Sequence, residues 1–299
     1  MDPRRLRLLV EFARLGSMAE VAAELGVTTS TVSQQLSLLA TELGTVLLEP
    51  FGRRVRLTPA GRRLADHGIT ILAAIDAAKL DLDVDAEPRG ILRVAGFASA
   101  IRRSLLPVVQ QLERSHPAVR VSIDEYEPLE AFAQLASDEV DLVLAYDYTL
   151  APVSLRDDVI VAPLWQNEWG LGVPAGDAGR RFADFADRPW IVNSRNTADE
   201  DAVRTLASTQ GFTPRIAHRI DSLELVEELV AAGLGVGLMP LDWSATKGVR
   251  VLPITEAVVR LRAFSAVRRG REAWPLLRLV LERLGGSSEQ LLHRAFERS

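Results

Sequence analysis

Two helix-sized segments set around glycines, in GSMAEVAAELGVTTSTVSQQLSLLATELG (Gly16–Gly44), constrain this chain more than any other feature in it. Ser17 suits an N-cap, and Glu20 three residues later completes a capping box. Val21, Ala22 and Leu25 then form the apolar face of a short helix, which Gly26 can end in the left-handed conformation. Thr28 is the next cap. Val32, Leu36, Leu39 and Leu43 recur at i, i+4, i+7 and i+11, the spacing of a buried stripe. With that stripe inward, Thr29, Ser30, Ser33, Gln34 and Ser37 face outward, beside Thr28 and Thr31. Short polar side chains on an exposed helix beyond a tight turn suit base edges in a major groove. The competing reading is a plain polar face on a helical hairpin.

The next segment favours nucleic acid. LLEPFGRRVRLTPAG (Leu47–Gly61) reads as a β-ribbon turning at Gly52, with Val55 and Leu57 alternating with Arg54 and Arg56. Arg53, Arg54 and Arg56 at such a tip can meet phosphates or a narrow minor groove. Thr58-Pro59 caps a further helix with proline at its first position. Along that helix Leu64, Gly68, Ile71, Ile75, Ala78 and Leu82 alternate at 4,3 spacing, a coiled-coil seam, narrow at Gly68 and Ala78, that predicts at least a dimer; the competing reading is a helix packed on its own domain. DAEPRG then reads as a linker. Charge agrees with this division: residues 1–63 hold nine arginines against six acids, so they carry +3 of a net −5 and the remainder −8. A basic head sits on an acidic body.

The body alternates strands with helices. GILRVAGF, VRVSIDEYE and VDLVLAY read as strands around helices built on Leu105, Val109 and Leu112, and on Leu129, Phe132 and Leu135. Pro107 requires either a fresh helix capped by Ser104 or a kink. A second set comes in EWGLGVP, RPWIVNS, a helix over 199–210, RIAHRI, a helix over 222–232, and GVGLMP. RLRAFSAVRRG and WPLLRLVLERL close the pattern, and the tail from Gly285 reads as a short added helix. Such alternation implies a doubly wound, mostly parallel sheet, here in two α/β halves with crossings near Ala162 and Phe264.

Other chemistries find little support. There is no cysteine, which excludes disulfides and thiolates. His67, His116, His218 and His293 are scattered, without metal-ligand spacing. GLGVG (Gly233–Gly237) comes after a helix and opens a strand, the reverse of a phosphate loop. The acidic runs DLDVDAE and ADED read as solvated surface. No enzyme motif, cofactor or metal site is expected. LVAAGLGVGLMPL is glycine-broken and shorter than a membrane span, and no signal-peptide core is present, so a cytoplasmic protein with no membrane partner is expected.

Residues 1–61 resemble the winged helix-turn-helix of LysR-type transcriptional regulators, in LLVEFARLGSMAEVAAELGVTTSTVSQQLSLL, ELGTVLLE and RRVRLTPAG. This chain departs from the family at Ala40 (usually Glu), at Leu48-Glu49-Pro50 (usually Phe-x-Arg) and at Gln34 (often basic). The missing arginine at position 50 removes one phosphate contact. The resemblance implies an α/β chain with a winged helix-turn-helix (1–58), a linker and dimerisation helix with hinge (59–87), and a two-lobed periplasmic-binding-protein-like effector domain (88–299). Lobe I would hold 88–162 and 265–299, lobe II 163–264. Partners would be double-stranded DNA, a second copy of the chain in a dimer or tetramer, and a small-molecule effector such as an organic acid or amino acid. In open α/β domains ligands bind beyond the carboxyl ends of strands. With the resemblance, that places Phe97, Ala98, Ser99, Tyr146, Asn193, Ser194 and Ser222 at the effector, with Arg195 as anion partner. A binding or transport-type protein whose basic head makes protein contacts is the alternative reading.

Overall fold

Three helices and a ribbon build the head: α1 (Pro3–Leu15), α2 (Met18–Glu24), α3 (Thr29–Leu43), β1 (Leu48–Phe51) and β2 (Arg54–Leu57). The computed structural model describes residues 1–52, 54–81, 88–156, 158–195, 197–243 and 248–285; Arg53, Leu82 and most of the expected terminal helix lie outside them. Ser17 Oγ accepts from the Glu20 N–H at 3.5 Å, and Thr28 Oγ1 from the Thr31 N–H at 3.2 Å, so both expected caps form. Gly26 takes φ +66° between the two helices, a conformation that disfavours any residue with a Cβ. Val32, Leu36 and Leu39 are fully buried with Phe12 and Val21. Leu43, expected to complete the stripe, is 39% exposed because α3 runs past the end of this small core. Val55, expected inward with Leu57, is likewise exposed.

The linker helix α4 (Pro59–Asp81) starts where expected, with Thr58 Oγ1 accepting from the Gly61 N–H at 3.0 Å. Its expected seam divides. Gly68 lies flat against α1, where a Cβ would stand 2.8 Å from Val10 Cγ2. Leu64 and Ile71 also pack on the cluster of Leu6 and Val10. Ile75, half-buried, and Ala78, exposed, are the described seam residues outside that cluster. The first half of the predicted dimer seam is therefore spent within the chain, because α1 needs a partner for its own apolar face.

The body is one nine-stranded sheet in the order β4-β3-β5-β11-β6-β9-β7-β8, with β10 also on β6. Its first half contains β3 (Gly90–Gly96), α5 (Ala98–Ala100), α6 (Leu106–Ser115), β4 (Val119–Glu125), α7 (Pro128–Ala136) and β5 (Leu142–Tyr148). The second contains β7 (Pro189–Val192), α8 (Ala198–Thr209), β8 (Arg215–Arg219), α9 (Leu223–Ala231), β9 (Val236–Pro240) and β10 (Val249–Leu252). β6 (Val159–Pro174) and β11 (Arg260–Arg268) join them, and α10 (Pro275–Arg283) returns to the first half. The sheet is not mostly parallel: β11 with β5 and β6, and β6 with β9 and β10, are antiparallel. Hydrophobic alternation marks a strand but not the direction of its neighbour.

Strand pairing shows where the chain changes partners near the expected crossings. Ala162 and Phe264 lie on adjacent strands, yet β6 pairs with β11 as far as Glu168 and with β9 from Trp169. The first crossing is thus at 168/169, and the second lies in 253–259, before β11. Ser104 caps no helix; its Oγ accepts from Trp165 Nε1 at 3.0 Å. A π-helical turn over Ile101–Leu105 runs directly into α6, with Pro107 as the second residue of that helix. Leu129, expected in the core, is 54% exposed, while Pro128, Ala131 and Leu135 are the buried face of α7.

Candidate nucleic-acid interface and effector cleft

On α3, Thr29, Ser30, Ser33, Gln34 and Ser37 are exposed, which leaves one continuous polar face. Thr28 and Thr31 differ from that expectation in kind. Thr28 Oγ1 lies 2.8 Å from both Ser30 Oγ and Thr31 Oγ1, so these hydroxyls form a cap network, and Thr31 is half-buried. Ser37 Oγ donates to the Ser33 carbonyl at 2.9 Å. Ser33 and Gln34 therefore stand at the centre of the face, one turn past the helix N-terminus. In the ribbon, Glu49 and Arg56 are cross-strand partners, and Arg56 Nε donates to Glu49 Oε1 at 2.7 Å while its Cζ sits 4.8 Å over the Phe51 ring. The acid at position 49 thus offsets the charge of Arg56, and Arg54 stands exposed on the same strand.

The second site lies where the two halves of the body meet, in a cleft of about 890 Å³. Phe97, Ala98, Ser99, Tyr146, Asn193 and Ser222 line it as expected; Ser194 and Arg195 do not. Ser194 Oγ donates to Asp221, and Arg195 Nε donates to Asp221 Oδ2 at 2.8 Å. Arg195 also reaches Glu130 at 3.4 Å and Glu125 at 3.9 Å. Arg195, expected as the anion partner, is thus engaged by acids of both halves. Arg102 and Glu224 make a second bridge across the cleft mouth at 3.5 Å.

A hydrogen-bonded chain crosses the cleft floor. Tyr146 Oη donates to Glu127 Oε2 at 2.8 Å and accepts from Asn193 Nδ2 at 3.2 Å, while the Asn193 N–H donates to Asp199 Oδ2 at 3.0 Å. Glu127 and Tyr146 belong to the first half, Asn193 and Asp199 to the second. Burial pushes the Glu127 carboxyl above its ordinary range, against the opposing bond from Tyr146. Asp199, 9% exposed, is pushed up to about 7 by burial, and its Oδ1 has no hydrogen-bond partner among the described residues. The run ADED is therefore not all solvated surface: Asp199 points into the floor from the first turn of α8. Two phenols and three indoles (Tyr146, Tyr148, Trp165, Trp169, Trp243) complete the lining.

Sequence reasoning overlooked Glu127 and Asp199. Each comes after the carboxyl end of a strand, β4 and β7 respectively, and that position was the available signal. Trp165 and Trp169 had no such signal, since only the pairing of β6 brings them to the cleft. Among the described residues, no group of three His, Cys, Asp or Glu could hold a metal ion, and no helix is long and apolar enough to cross a membrane.

Known proteins resemble both parts of the chain. The LysR substrate binding domain matches residues 85–288, and the bacterial regulatory helix-turn-helix of the lysR family matches residues 3–62. The transcriptional dual regulator GltC of Bacillus subtilis is 27% identical, over 80% of this chain and 81% of its own. A probable hydrogen peroxide-inducible genes activator of Mycobacterium avium is 27% identical, over 89% and 84%. Among solved structures, full-length OxyR C199D from Pseudomonas aeruginosa superposes with a TM-score of 0.69 at 19% identity, covering 100% of this chain and 99% of that one. HinK from the same organism superposes at 0.55 with 21% identity, covering 95% and 97%. These relatives are described as regulators of transcription or of inducible genes. With a capped polar helix beside an arginine ribbon, and a cleft between two α/β halves, this chain belongs to the LysR family: it is a DNA-binding transcriptional regulator with an effector-binding domain.

Proposed function

We propose that Ser33 and Gln34 read base edges while Arg53 and Arg54 hold phosphates. The observation that carries this reading is the exposed polar face of α3, fixed by the Thr28 cap and a fully buried opposite stripe. Gln34→Ala is expected to relax base preference at one operator position, at a cost of about 1–3 kcal/mol. Arg54→Ala should instead weaken binding to every sequence and flatten its salt dependence. Footprinting of the full chain on DNA upstream of its own gene checks both; an unchanged operator preference in Gln34→Ala would mean that α3 is not oriented as proposed.

The working species is a dimer or larger, joined through the outer part of α4, and it acts in the cytoplasm where DNA is. Ile75, half-buried and outside the cluster of Leu6 and Val10, is the residue to change: Ile75→Arg should give a monomer in sedimentation velocity. A monomeric wild-type chain would remove this reading. Ile71 is unsuitable for the test, because it also packs on α1.

The effector enters the cleft between the halves and favours one arrangement of them, since a ligand with equal affinity for both shifts nothing. The bridges Arg195–Glu130 and Arg102–Glu224 are the contacts that such a change of angle would make or break. Some relatives are named for induction by hydrogen peroxide; this chain contains no cysteine, so no thiol can sense an oxidant here.

A further inference from the structure

Resting on the reading of the cleft as the effector site, we propose that its ligand is an organic cation, an amine or ammonium head on an apolar body, and that Glu127 and Asp199 take its charge. The chemistry of the lining points this way. Six carboxylates line the cleft (Glu125, Glu127, Asp199, Asp221, Glu224, Asp242) against two guanidinium groups, Arg102 and Arg103. Both arginines are exposed at the rim and engaged: Arg102 reaches Glu224, and Arg103 Cζ stands 4.5 Å over the Trp165 ring. Asp221 is held by Arg195.

Of the other four, Glu125 reaches Arg195 at 3.9 Å and Asp242 is exposed, while Glu127 and Asp199 are the buried pair. They are 6% and 9% exposed, and among the described residues neither has a basic side chain within 4.0 Å. Asp199 Oδ1 is buried without a hydrogen-bond partner among them. A buried carboxylate without a counter-ion is expensive, and a cation brought by a ligand would offset that cost. An anionic ligand would meet these two groups and no buried cation, so a carboxylate effector is disfavoured by like charge. An ammonium head on the cleft floor would instead offset the charge of both groups. The phenol and indole rings around it suit a cation's face-on approach and the apolar body behind it. The two acids come from opposite halves and are joined through Tyr146 and Asn193. A cation shared between them therefore binds the closed arrangement better than an open one, which is the difference that an effector needs.

The test is a matched panel on the full-length protein, read by quenching of tryptophan fluorescence and by calorimetry. 2-Phenylethylamine and 1,4-diaminobutane are compared with 3-phenylpropionate and butanedioate. At least one amine should bind saturably and neither acid should. Asp199→Asn and Glu127→Gln should each weaken that amine by ~10-fold or more, the loss expected for one charged hydrogen bond. Tighter binding of an acid than of its matched amine, binding by no member of the panel, or amine affinity unchanged in both variants would overturn the cation assignment. Footprints with and without each compound separate the two readings. An acid that binds and alters the footprint leaves the effector-responsive regulator standing and removes only the cation. Absence of any protected DNA would remove the regulator itself.

Discussion

Leu36→Ala should abolish operator binding without removing a single DNA contact. Leu36 is fully buried at the centre of the head, with Phe12, Val21, Val32 and Leu39 around it. Truncating such a leucine typically costs about 2–5 kcal/mol, through lost burial and the cavity left behind. A core assembled from roughly 60 residues has little more than that to lose. The polar face of α3 would then lose its orientation, while the cleft, built on a separate core, would keep its ligand affinity. Calorimetry should show the head transition lowered or absent with the main transition retained, and the gel shift should vanish. Wild-type affinity in this variant would mean that the buried stripe does not hold α3 in place.

Asp199→Asn is expected to stabilise the unliganded protein in alkaline solution and to change little in acid. Burial raises this carboxyl from an ordinary 3.8 to about 7 in the folded chain. Between those values the native state holds a proton that the unfolded state has released, so wild-type stability falls as pH rises from about 4 to 7, then levels off. The ionised group costs the fold ~4 kcal/mol above that window. An asparagine keeps an oxygen for the Asn193 N–H and removes the charge. Thermal unfolding at pH 5 and pH 8.5 should therefore show the variant close to wild type at the lower pH and clearly more stable at the higher. Equal gaps at both values would mean that Asp199 is not the group whose titration matters. The same substitution removes a counter-charge for the proposed cation, so stability and ligand affinity should move in opposite directions.

The sequence placed the elements well wherever the controlling physics was local. Ser17, Thr28 and Thr58 were legible as caps because a cap is set by neighbours two or three residues away. Gly26 and Gly52 were legible because their turns require positive φ. Ends of strands pointed to Phe97, Ser99, Tyr146, Asn193 and Ser222, all of which line the cleft. The acidic neighbours of Arg195 and the burial of Asp199 escaped the sequence for a shared reason. Whether an arginine is available, or an aspartate solvated, depends on charges contributed from the other half of the body, and no local pattern records them.

By itself, then, the chain specified a capped polar helix on an apolar stripe, an arginine ribbon, a long helix and two runs of alternating strands and helices. Hydrophobic period, turn residues and caps act within a few residues, so they can be read along one dimension. Only the tertiary structure decided that β6 and β11 run antiparallel and carry the sheet from one half to the other. It alone turned Leu64 and Gly68 toward α1 instead of a partner helix. It alone buried Glu127 and Asp199 in one aromatic cleft. Pairing direction, helix partner and burial of charge are all settled by segments far apart in sequence, through packing and desolvation that no single segment contains.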